Sequence, residues 1–424
     1  MITIGLDFGT HQSKVCIERR EGAELGYEFF MFNDADGTER FTLPSIIRVD
    51  NQNRLSYGYL PKDKKKGKLI RYFKQATFTN ANHRIDKMDA VYYSIWYIAY
   101  ILFDIEERFG QDFAVQMGVP SDGQIFSDQK ILAVRILLSA YRLVEDVFEN
   151  DKEFFIQSTK QDLLDVTEFL PYSKEKKEEY NLLVFPEAYA CLMPLVSSAK
   201  IATGMSLMVD IGGGTTDISF FTIENDRPQV YKYYSINKGL NYLTDADKYT
   251  DNDERQDSNV HDDSEINYNR LGSFTIEIRG KCRQLRENLI KEFKSQSELP
   301  VERLTDALRA RPIVYSGGGS TFRRLRNKYL GFNDIIQISE KEWHSEVMKD
   351  MDRIATLKLC PILSTAYGLS IGVADDDIKC KSFRDIFDGV RRWKVEKSQI
   401  KSFVYGHSIS SYGFDYGTDY DAFK

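Results

Sequence analysis

Two glycine-rich turns, each beginning with an aspartate, carry the residue types of this sequence that are best suited to chemistry. In the first, residues 4–15 (IGLDFGTHQSKV), Gly9 has no Cβ, so the main-chain N–H groups after it can approach a phosphate closely. Asp7 stands at the end of the preceding strand pattern, where a carboxylate can hold the water shell of Mg²⁺. The N–H groups concerned belong to Thr10, His11 and Gln12. The pattern predicts a phosphate cradle beside a cation site.

The second turn, in residues 208–218 (MVDIGGGTTDI), repeats this arrangement with a second carboxylate, Asp210. The echo predicts two similar α/β halves, which would grip a triphosphate from both sides if they face one another. Alternatively, each turn is only a tight hairpin, because short glycine motifs have many false positives. The flanking strand patterns are residues 2–6 and 15–18 for the first turn and residues 206–209 and 218–223 for the second.

A third glycine-rich element lies in residues 313–322 (IVYSGGGSTF), where an apolar strand pattern runs into a triple glycine. Three glycines let the backbone lie flat against a ligand, and Ser320 or Thr321 can cap a following helix. The N-terminus of such a helix favours a phosphate or ribose oxygen. None of the three elements is a Walker A loop or a dinucleotide-binding fingerprint, since neither spacing is present.

Composition narrows the class of protein. The 424 residues are 42% hydrophobic and 29% charged, which is typical of a soluble globular chain with two or three domain-sized units. A net charge of −7 argues against a dedicated nucleic-acid binder, whose affinity comes from neutralising phosphates. The 5 cysteines are widely spaced without a CxxC, so we expect reduced thiols in a cytoplasm and no zinc site. The first residues lack a basic region, so we also expect no signal peptide.

The rest of the sequence predicts long helices and two separate irregular segments. Residues 91–103 (VYYSIWYIAYILF) form the most apolar run, which is shorter than the ~20 residues of a membrane span and predicts a buried helix. Residues 129–148 have clear helical periodicity. Residues 245–269 are acidic and almost free of aliphatic side chains, and residues 403–424 lack periodicity, so we expect a solvated loop and a loosely held tail.

The order IGLDFGT, VDIGGGTTD, YSGGGST resembles the phosphate-one, phosphate-two and adenosine motifs of the actin, sugar-kinase and heat-shock ATPase superfamily. Within it, the sequence looks most like the ATPase domain of DnaK-type heat-shock proteins. Further resemblances to that branch lie in residues 32–46, 71–74, 117–120 and 364–371. The resemblance spans about residues 1 to 375.

The resemblance implies roles for individual residues. Asp7 and Asp210 would organise Mg²⁺ and the attacking water, and Lys74 would neutralise charge on the γ-phosphoryl group. Thr10 and Thr215 would hydrogen-bond the phosphate oxygens and that water. Alternatively, Lys74 is only one more exposed lysine. The remaining nucleotide contacts would be Gly9, His11, Gln12, Gly212, Gly213, Gly214, Thr216, Gly239, Arg283, Arg286, Gly317, Gly318, Gly319, Ser320 and Phe322.

Several positions depart from the family pattern. Phe185 stands where the family has a catalytic glutamate before a proline, and Glu187, two residues later, is the candidate substitute. Either Phe185 faces the cleft and excludes water, or it packs in the core while Glu187 serves. Ile362 replaces an aspartate after a proline, and Phe322 replaces an arginine that stacks on adenine. Arg283 and Arg286, at i and i+3 on a helix, are either ribose and adenine contacts or part of a solvated face.

We therefore expect an α/β fold of two actin-like ATPase lobes, each with a mixed five-stranded sheet and flanking helices, around a nucleotide cleft. Lobe I would span residues 1–199 plus a closing helix at 361–375, and lobe II residues 200–360. The extension 376–424 is too short for a peptide-binding β-sandwich and lid, so we expect an isolated module.

The expected function is a slow Mg²⁺-dependent ATPase with ATP/ADP as its nucleotide, coupling lobe closure to an unidentified protein partner. The first alternative is a nucleotide-gated interaction module with little or no hydrolysis. The second is a small-molecule kinase, which is weaker because no separate acceptor site is evident. We expect a cytoplasmic protein that has no membrane span and binds no nucleic acid.

Overall fold

The computed structural model describes residues 2–59, 67–79, 85–120, 126–168, 170–198, 201, 205–224, 227–243, 267–296, 300–322, 325 and 334–372. The predicted tail at 403–424 and the extension 376–424 lie outside the described residues. So does the predicted loop at 245–269, except for its last three residues, two of which begin a helix.

The first part of the chain forms one large sheet, two small sheets of two and three strands, and the helices that accompany them. Its strands are β1 (Ile2–Asp7), β2 (Gln12–Glu21), β3 (Glu24–Phe29), β4 (Phe32–Asn33), β5 (Glu39–Arg40), β6 (Leu43–Pro44), β7 (Ile46–Val49), β8 (Leu55–Tyr57), β9 (Lys68–Arg71), β10 (Ala114–Val119) and β11 (Leu182–Pro186). Its helices are α1 (Phe73–Phe78), α2 (Lys87–Phe109), α3 (Phe126–Arg142), α4 (Lys152–Gln157), α5 (Lys160–Glu168), α6 (Lys174–Glu179) and α7 (Glu187–Ser197).

The second part forms another large sheet. Its strands are β12 (Ser206–Ile211), β13 (Thr216–Glu224), β14 (Arg227–Ile236), β15 (Pro312–Ser316) and β16 (Asp334–Gln337). Its helices are α8 (Leu240–Leu243), α9 (Tyr268–Gln296) and α10 (Val301–Ala310), followed by α11 (Met351–Thr356) and α12 (Cys360–Ser370). Short 3₁₀ turns occupy Gly318–Thr321, Glu340–Glu342 and Ser345–Val347.

The two sheets have the same topology. The strand order is β3-β2-β1-β10-β11 in the first sheet, with β6 attached to β2, and β14-β13-β12-β15-β16 in the second. In each sheet the first three strands are antiparallel and the others are parallel to the central strand. The predicted α/β fold of two lobes with mixed sheets is thus confirmed, as is the internal echo of the two strand–turn–strand units.

Helices α7 and α12 pack against each other, α12 also packs against β1, β2 and β10, and α7 packs against β11 and β14. A Cβ on Gly5 of β1 would lie 2.3 Å from the carbonyl oxygen of Ala366 in α12. One on Gly368 of α12 would lie 1.7 Å from the carbonyl oxygen of Ala190 in α7. Both glycines are therefore required by close backbone approach. This packing fixes the N-terminal ends of α7 and α12 next to the glycine-rich turns.

The apolar run at 91–103 lies within α2 and is largely buried, as predicted. No helix in the described part of the chain has the length and apolar character needed to cross a membrane. The helix predicted at 129–148 is α3, whose last turns change to a π-helix at Leu143–Val147.

Candidate functional site

A polar cleft opens where the turns that follow β1, β12 and β15 meet the N-terminal ends of α7 and α12. Every one of these strands ends at the same side of the molecule, so the cleft collects residues that are far apart in sequence. Its lining consists of Asp7, Gly9, Thr10, His11, Gln12, Lys14, Lys74, Glu187, Asp210, Gly212, Gly213, Gly214, Thr215, Asp217, Leu240, Gly317, Gly318, Pro361, Ile362 and Thr365.

The first glycine turn is held from behind by Ser45. The Ser45 hydroxyl donates to the carbonyl oxygen of Gly9 at 2.7 Å, and the Ser45 N–H donates to that of His11 at 2.9 Å. In a planar trans peptide the C=O and the next N–H point in opposite directions. The N–H groups of Thr10 and Gln12 therefore point away from Ser45. A Cβ on Gly9 would lie 2.0 Å from the carbonyl oxygen of Gln12, so the turn requires glycine.

The second glycine turn is held in the same way by helix α8. The N–H groups of Leu240 and Asn241 donate to the carbonyl oxygens of Gly212 and Gly213 at 3.0 and 2.9 Å. The N–H groups of Gly213 and Gly214 therefore point away from α8. Both turns thus present amide N–H groups while their carbonyl oxygens are bonded elsewhere, which is the polarity that an anion requires.

The two turns touch each other across the cleft. A Cβ on Gly213 would lie 2.8 Å from the Cβ of His11, and one on Gly214 would lie 2.8 Å from a methyl carbon of Thr10. A side chain at either glycine would therefore push the turns apart. Glycine at these positions allows the two backbones to approach the same small ligand from opposite sides.

Hydrogen bonds between side chains also connect the two halves. The imidazole Nδ1 of His11 lies 3.2 Å from the side-chain nitrogen of Asn241 at the start of α8. On the same side of the molecule, Gln75 of α1 donates to the side-chain oxygen of Asn237 at 3.1 Å. These bonds join the two halves beside the cleft that both turns line.

Two lysines bring positive charge into the cleft. Lys14 lies directly opposite Asp7 in the β1–β2 register, with its Nζ 2.9 Å from the Asp7 Oδ2. Lys74 is buried in α1, and its ammonium group is paired with Glu187 and lies 5.6 Å from the ring centroid of Phe8. The structure therefore excludes the alternative that Lys74 is an ordinary exposed lysine.

Among the described residues that line the cleft, the second half contributes two carboxylates and no lysine. Asp210 and Asp217 are directly opposed in the β12–β13 register. Burial, together with the charges of Asp217, Asp7 and Glu187, raises the pKa of Asp210 to about 8, while Lys14 opposes this shift. Burial likewise raises the pKa of Asp217, against hydrogen bonds from Ser235 and Tyr233. Both carboxylates are therefore costly to ionise unless further positive charge enters the cleft.

Phe185 and Glu187 have opposite environments on either side of Pro186. Phe185 is 1% exposed in β11 and stacks on Tyr189 at 5.9 Å between ring centroids, so the hypothesis that it faces the cleft is wrong. Glu187 is the first residue of α7 and lines the cleft beside Lys74. Burial raises the pKa of Glu187, and the charge of Lys74 opposes that shift. The hypothesis fails because the chain changes from strand β11 to helix α7 at Pro186. The side chain before this proline is therefore buried in the core, and the one after it enters the cleft.

The third glycine element differs from the prediction in two respects. No α-helix begins at Ser320, because Gly318–Thr321 is a 3₁₀ turn and its hydroxyls bond back into it, Ser320 to the carbonyl oxygen of Gly317 at 2.8 Å. Phe322 is buried in the core of the second half and lines no surface for an adenine ring. Gly317, with φ of +72°, lies against Asp210 and does line the cleft.

Some predicted nucleotide contacts lie outside the cleft lining. Arg283 is exposed and Arg286 half-buried on α9, and neither lines the cleft. Thr216 is buried and donates to the carbonyl oxygen of Lys238, at 2.9 Å. Gly239 packs beneath the second turn, where a Cβ would lie 2.4 Å from the carbonyl oxygen of Gly212. Gly319 and Ser320 are also buried outside the lining.

Sequence reasoning missed Lys14 and Asp217 as site residues. Each lies seven positions after the aspartate that opens its turn, and each pairs with that aspartate across an antiparallel ladder. The similarity of the two turns could have revealed both residues, because in each half the hairpin register places the residue seven positions after the aspartate directly opposite to it. Ile362, by contrast, lines the cleft as an apolar residue where the family pattern has an acid.

The carboxylates of the cleft suit a hydrated cation better than a metal ion that is bound entirely by side chains. Four carboxylates, those of Asp7, Glu187, Asp210 and Asp217, face two ammonium groups, so the cleft carries an excess of negative charge once Asp210 and Asp217 are ionised. A divalent cation would offset that excess. In the described ranges, however, no group of three or more His, Cys, Asp or Glu side chains could hold a metal ion. Asp7 and Asp210 could therefore serve Mg²⁺ singly or through its water ligands, which this ion tends to keep.

Comparisons with known proteins give distant likenesses to solved structures. No protein-family model matches the chain, and no curated protein matches it. The chain is similar to the solved structure of a MamK double helical filament, with 13% identity over 84% of this chain and 98% of that chain and a TM-score of 0.46.

It is also similar to an archaeal actin homologue in complex with ADP (14% identity, 87% and 98% coverage, TM-score 0.44). A third likeness is to a non-polymerisable quadruple mutant of ParM, with 14% identity over 87% of this chain and 97% of that chain and a TM-score of 0.42. At TM-scores below 0.5, these likenesses by themselves assign neither an activity nor a ligand to this chain.

Proposed function

We propose that this chain is a Mg²⁺-dependent module that binds ATP and ADP between its two halves and hydrolyses ATP slowly. The observation that carries the proposal is the convergence of two glycine turns on one cleft that also contains a buried Lys74–Glu187 pair and Asp210. Amide N–H groups and ammonium groups suit phosphate oxygens, and the surplus carboxylates suit the accompanying cation.

The position of each residue in the cleft indicates its role in phosphate binding or hydrolysis. The N–H groups of both turns would hold the phosphate oxygens, because their carbonyl oxygens are bonded to Ser45 and α8. Lys14 and Lys74 would neutralise charge that develops on the terminal phosphoryl group. Thr10 and Thr215 line the cleft next to both turns and would orient oxygens of the phosphate or the water. When bound, Mg²⁺ supplies charge neutralisation at the phosphates.

The attacking water needs a hydrogen-bond acceptor on the side opposite the leaving group. Glu187, at the cleft end of α7, is one such carboxylate, and its pairing with Lys74 keeps both groups in place. Asp217 is a second acceptor that lines the same cleft. Catalysis would thus depend on positioning and electrostatics, as phosphoryl transfer generally does.

A second candidate function is a nucleotide-gated interaction module with little hydrolysis. Ile362 favours it, because this apolar side chain lines the cleft and can accept no hydrogen bond from a water. In that case closure of the cleft around the nucleotide would be the output, read by a protein partner. A resemblance to DnaK-type chaperones, and any client that follows from it, stays a prediction from the sequence.

The test is a steady-state phosphate-release assay on the purified full chain, run beside calorimetric titrations with ATP and ADP, with and without Mg²⁺. We expect Mg²⁺-dependent binding of both nucleotides and slow turnover, and we expect Asp210→Asn to lower both. Binding without turnover would select the gated module. Absence of nucleotide binding in the presence of Mg²⁺ would overturn both functions.

A further inference from the structure

The carboxylate of Asp217 belongs to a polar group on the face of the second sheet that packs on α7. Asp217 of β13 pairs directly with Ser235 of β14, and Ser219 pairs with Tyr233. Directly opposed residues of antiparallel strands share a face, and so do residues two apart on one strand. Tyr233 and Ser235 therefore lie on the same face as Asp217.

Tyr233 is 5% exposed, so its hydroxyl needs a partner inside the protein. That partner is Asp217, to which Ser235 also donates a hydrogen bond. The Oδ1 atom of Asp217, in contrast, is buried and has no hydrogen-bond partner within the described part of the chain. Asp217 also lines the cleft, so this carboxylate has an unused acceptor atom in the wall of the cleft.

A β-bulge determines which tyrosine of β14 reaches the carboxylate. The β13–β14 register shifts between Ser219 and Phe221, so Tyr231 and Tyr233 lie on opposite faces although they are two residues apart. Tyr231 packs in the core formed by α9 and the sheet, and its hydroxyl lies 3.2 Å from that of Thr222. Tyr231 is therefore a matched control, since it is similarly buried and hydrogen-bonded but lies on the face of the sheet opposite to Asp217.

We propose that Tyr233 is a positioning residue for hydrolysis: its hydroxyl holds the carboxylate of Asp217 so that Oδ1 faces the cleft and accepts a hydrogen bond from the attacking water. This inference rests on the proposed function. It assigns to a buried strand residue the orientation of a group that touches the reacting water, while Tyr233 itself touches neither nucleotide nor water.

The size of the expected effect follows from geometry. A side chain that supports a reacting group improves the rate by restricting that group to a productive orientation, and a small displacement of it can cost up to a hundredfold. Ser235 still donates to Asp217 when the Tyr233 hydroxyl is removed, so the loss should be smaller. We expect Tyr233→Phe to lower kcat about tenfold, which corresponds to about 1.4 kcal/mol of barrier.

The experiment measures kcat and KM for MgATP on the full chain by phosphate release, for the wild type, Tyr233→Phe, Tyr231→Phe, Asp217→Asn and the double variant Tyr233→Phe/Asp217→Asn. We expect Tyr233→Phe to lower kcat with KM and ADP affinity unchanged, and Tyr231→Phe to leave kcat at the wild-type value. In the Asp217→Asn background, Tyr233→Phe should add no further loss of kcat, because its effect passes through that carboxylate.

Two results would overturn the inference while leaving the proposed function intact. One is a Tyr233→Phe protein with wild-type kcat and a melting temperature lowered as much as by Tyr231→Phe, since the hydroxyl would then be only structural. The other is an equal fractional loss of kcat with and without Asp217. A wild type that binds MgATP but shows no turnover contradicts the ATPase itself, and the inference falls with it.

Discussion

The strand–turn–strand units β1–β2 and β12–β13 share a topology but differ in charge. In each unit the turn begins with an aspartate at the end of the central strand. This aspartate is Asp7 in the first unit and Asp210 in the second. The residue directly opposite is Lys14 in the first unit and Asp217 in the second. The first unit therefore carries its own counterion, whereas the second places two carboxylates side by side.

The difference teaches how a repeated scaffold becomes an asymmetric site. Both lysines in the described lining of the cleft, Lys14 and Lys74, belong to the first half, and the opposed carboxylates Asp210 and Asp217 belong to the second. Phosphate oxygens and their cation could satisfy both halves at once, because the anion suits the lysines and the cation suits the carboxylates. The register position that holds Lys14 in one half and Asp217 in the other contributes to that polarity together with Lys74.

The largest expected effect tests whether the lysines of the first half act on the reaction. Lys74→Ala removes a cation from the cleft and leaves Glu187 without its partner. We expect hydrolysis to fall by roughly a hundredfold or more, a typical cost of losing one electrostatic group, with some ATP binding retained. Phosphate release measures it, and Lys68→Ala, an exposed lysine of β9, is the matched control. Equal rates for both variants would contradict this role.

The next prediction tests whether Glu187 faces the cleft while Phe185 lies in the core. Phe185→Glu would bury a carboxylate without a partner in the core, so the free energy of unfolding should fall by roughly 2–7 kcal/mol, the range for an uncompensated polar group. Glu187→Gln should instead leave the fold intact and reduce turnover. Urea unfolding and phosphate release on both variants separate the positions. A stable Phe185→Glu protein with faster turnover would show that Phe185 faces the cleft after all.

The sequence predicted the glycine turns and the aspartates well, because strand patterns and glycine spacing are local signals. Lys14 and Asp217 were missed, since their role depends on which residue each faces across a ladder. Phe185 was uncertain for a similar reason, as the boundary between β11 and α7 decides which side chain enters the cleft. Phe322 is predicted as a nucleotide contact, but the fold buries it, a result of tertiary packing that no local pattern reveals.

The electrostatic difference between the halves should appear in the pH dependence of stability. The pKa of Asp210 is about 8, against an ordinary value near 3.8, so between those values the folded state binds more protons than the unfolded state. The free energy of unfolding should therefore fall as pH rises from about 4 to about 8. Asp217→Asn removes the charge that raises the pKa of Asp210 most, so the fall should become smaller.

Urea unfolding of the chain without nucleotide, in EDTA, at several pH values between about 5 and about 8 measures this effect. Asp7→Asn is the comparison variant from the first half, where Lys14 accompanies the carboxylate. If the wild-type and Asp217→Asn curves run parallel over that range, the two halves do not differ in the way described.

The smallest effect concerns the hydrogen bonds that join the halves. Asn241→Ala removes the contact with His11 and should weaken MgATP binding a few-fold, since a neutral hydrogen bond contributes about 0.5–1.5 kcal/mol. Asn288→Ala is the matched control, because that amide bonds Tyr234 within the second half. Calorimetry on both variants gives the difference, and equal affinities would mean that the contact with His11 contributes nothing to closure.

The central claim, that a nucleotide binds between the two glycine turns, is tested most directly by calorimetric titration of MgATP into Gly213→Val. A valine there meets His11 across the cleft, whereas Gly26→Val in β3 meets no atom within 4 Å and serves as the control. We expect the affinity of Gly213→Val to fall at least tenfold, about 1.4 kcal/mol, while Gly26→Val binds like the wild type. Wild-type affinity in a correctly folded Gly213→Val protein would contradict the account.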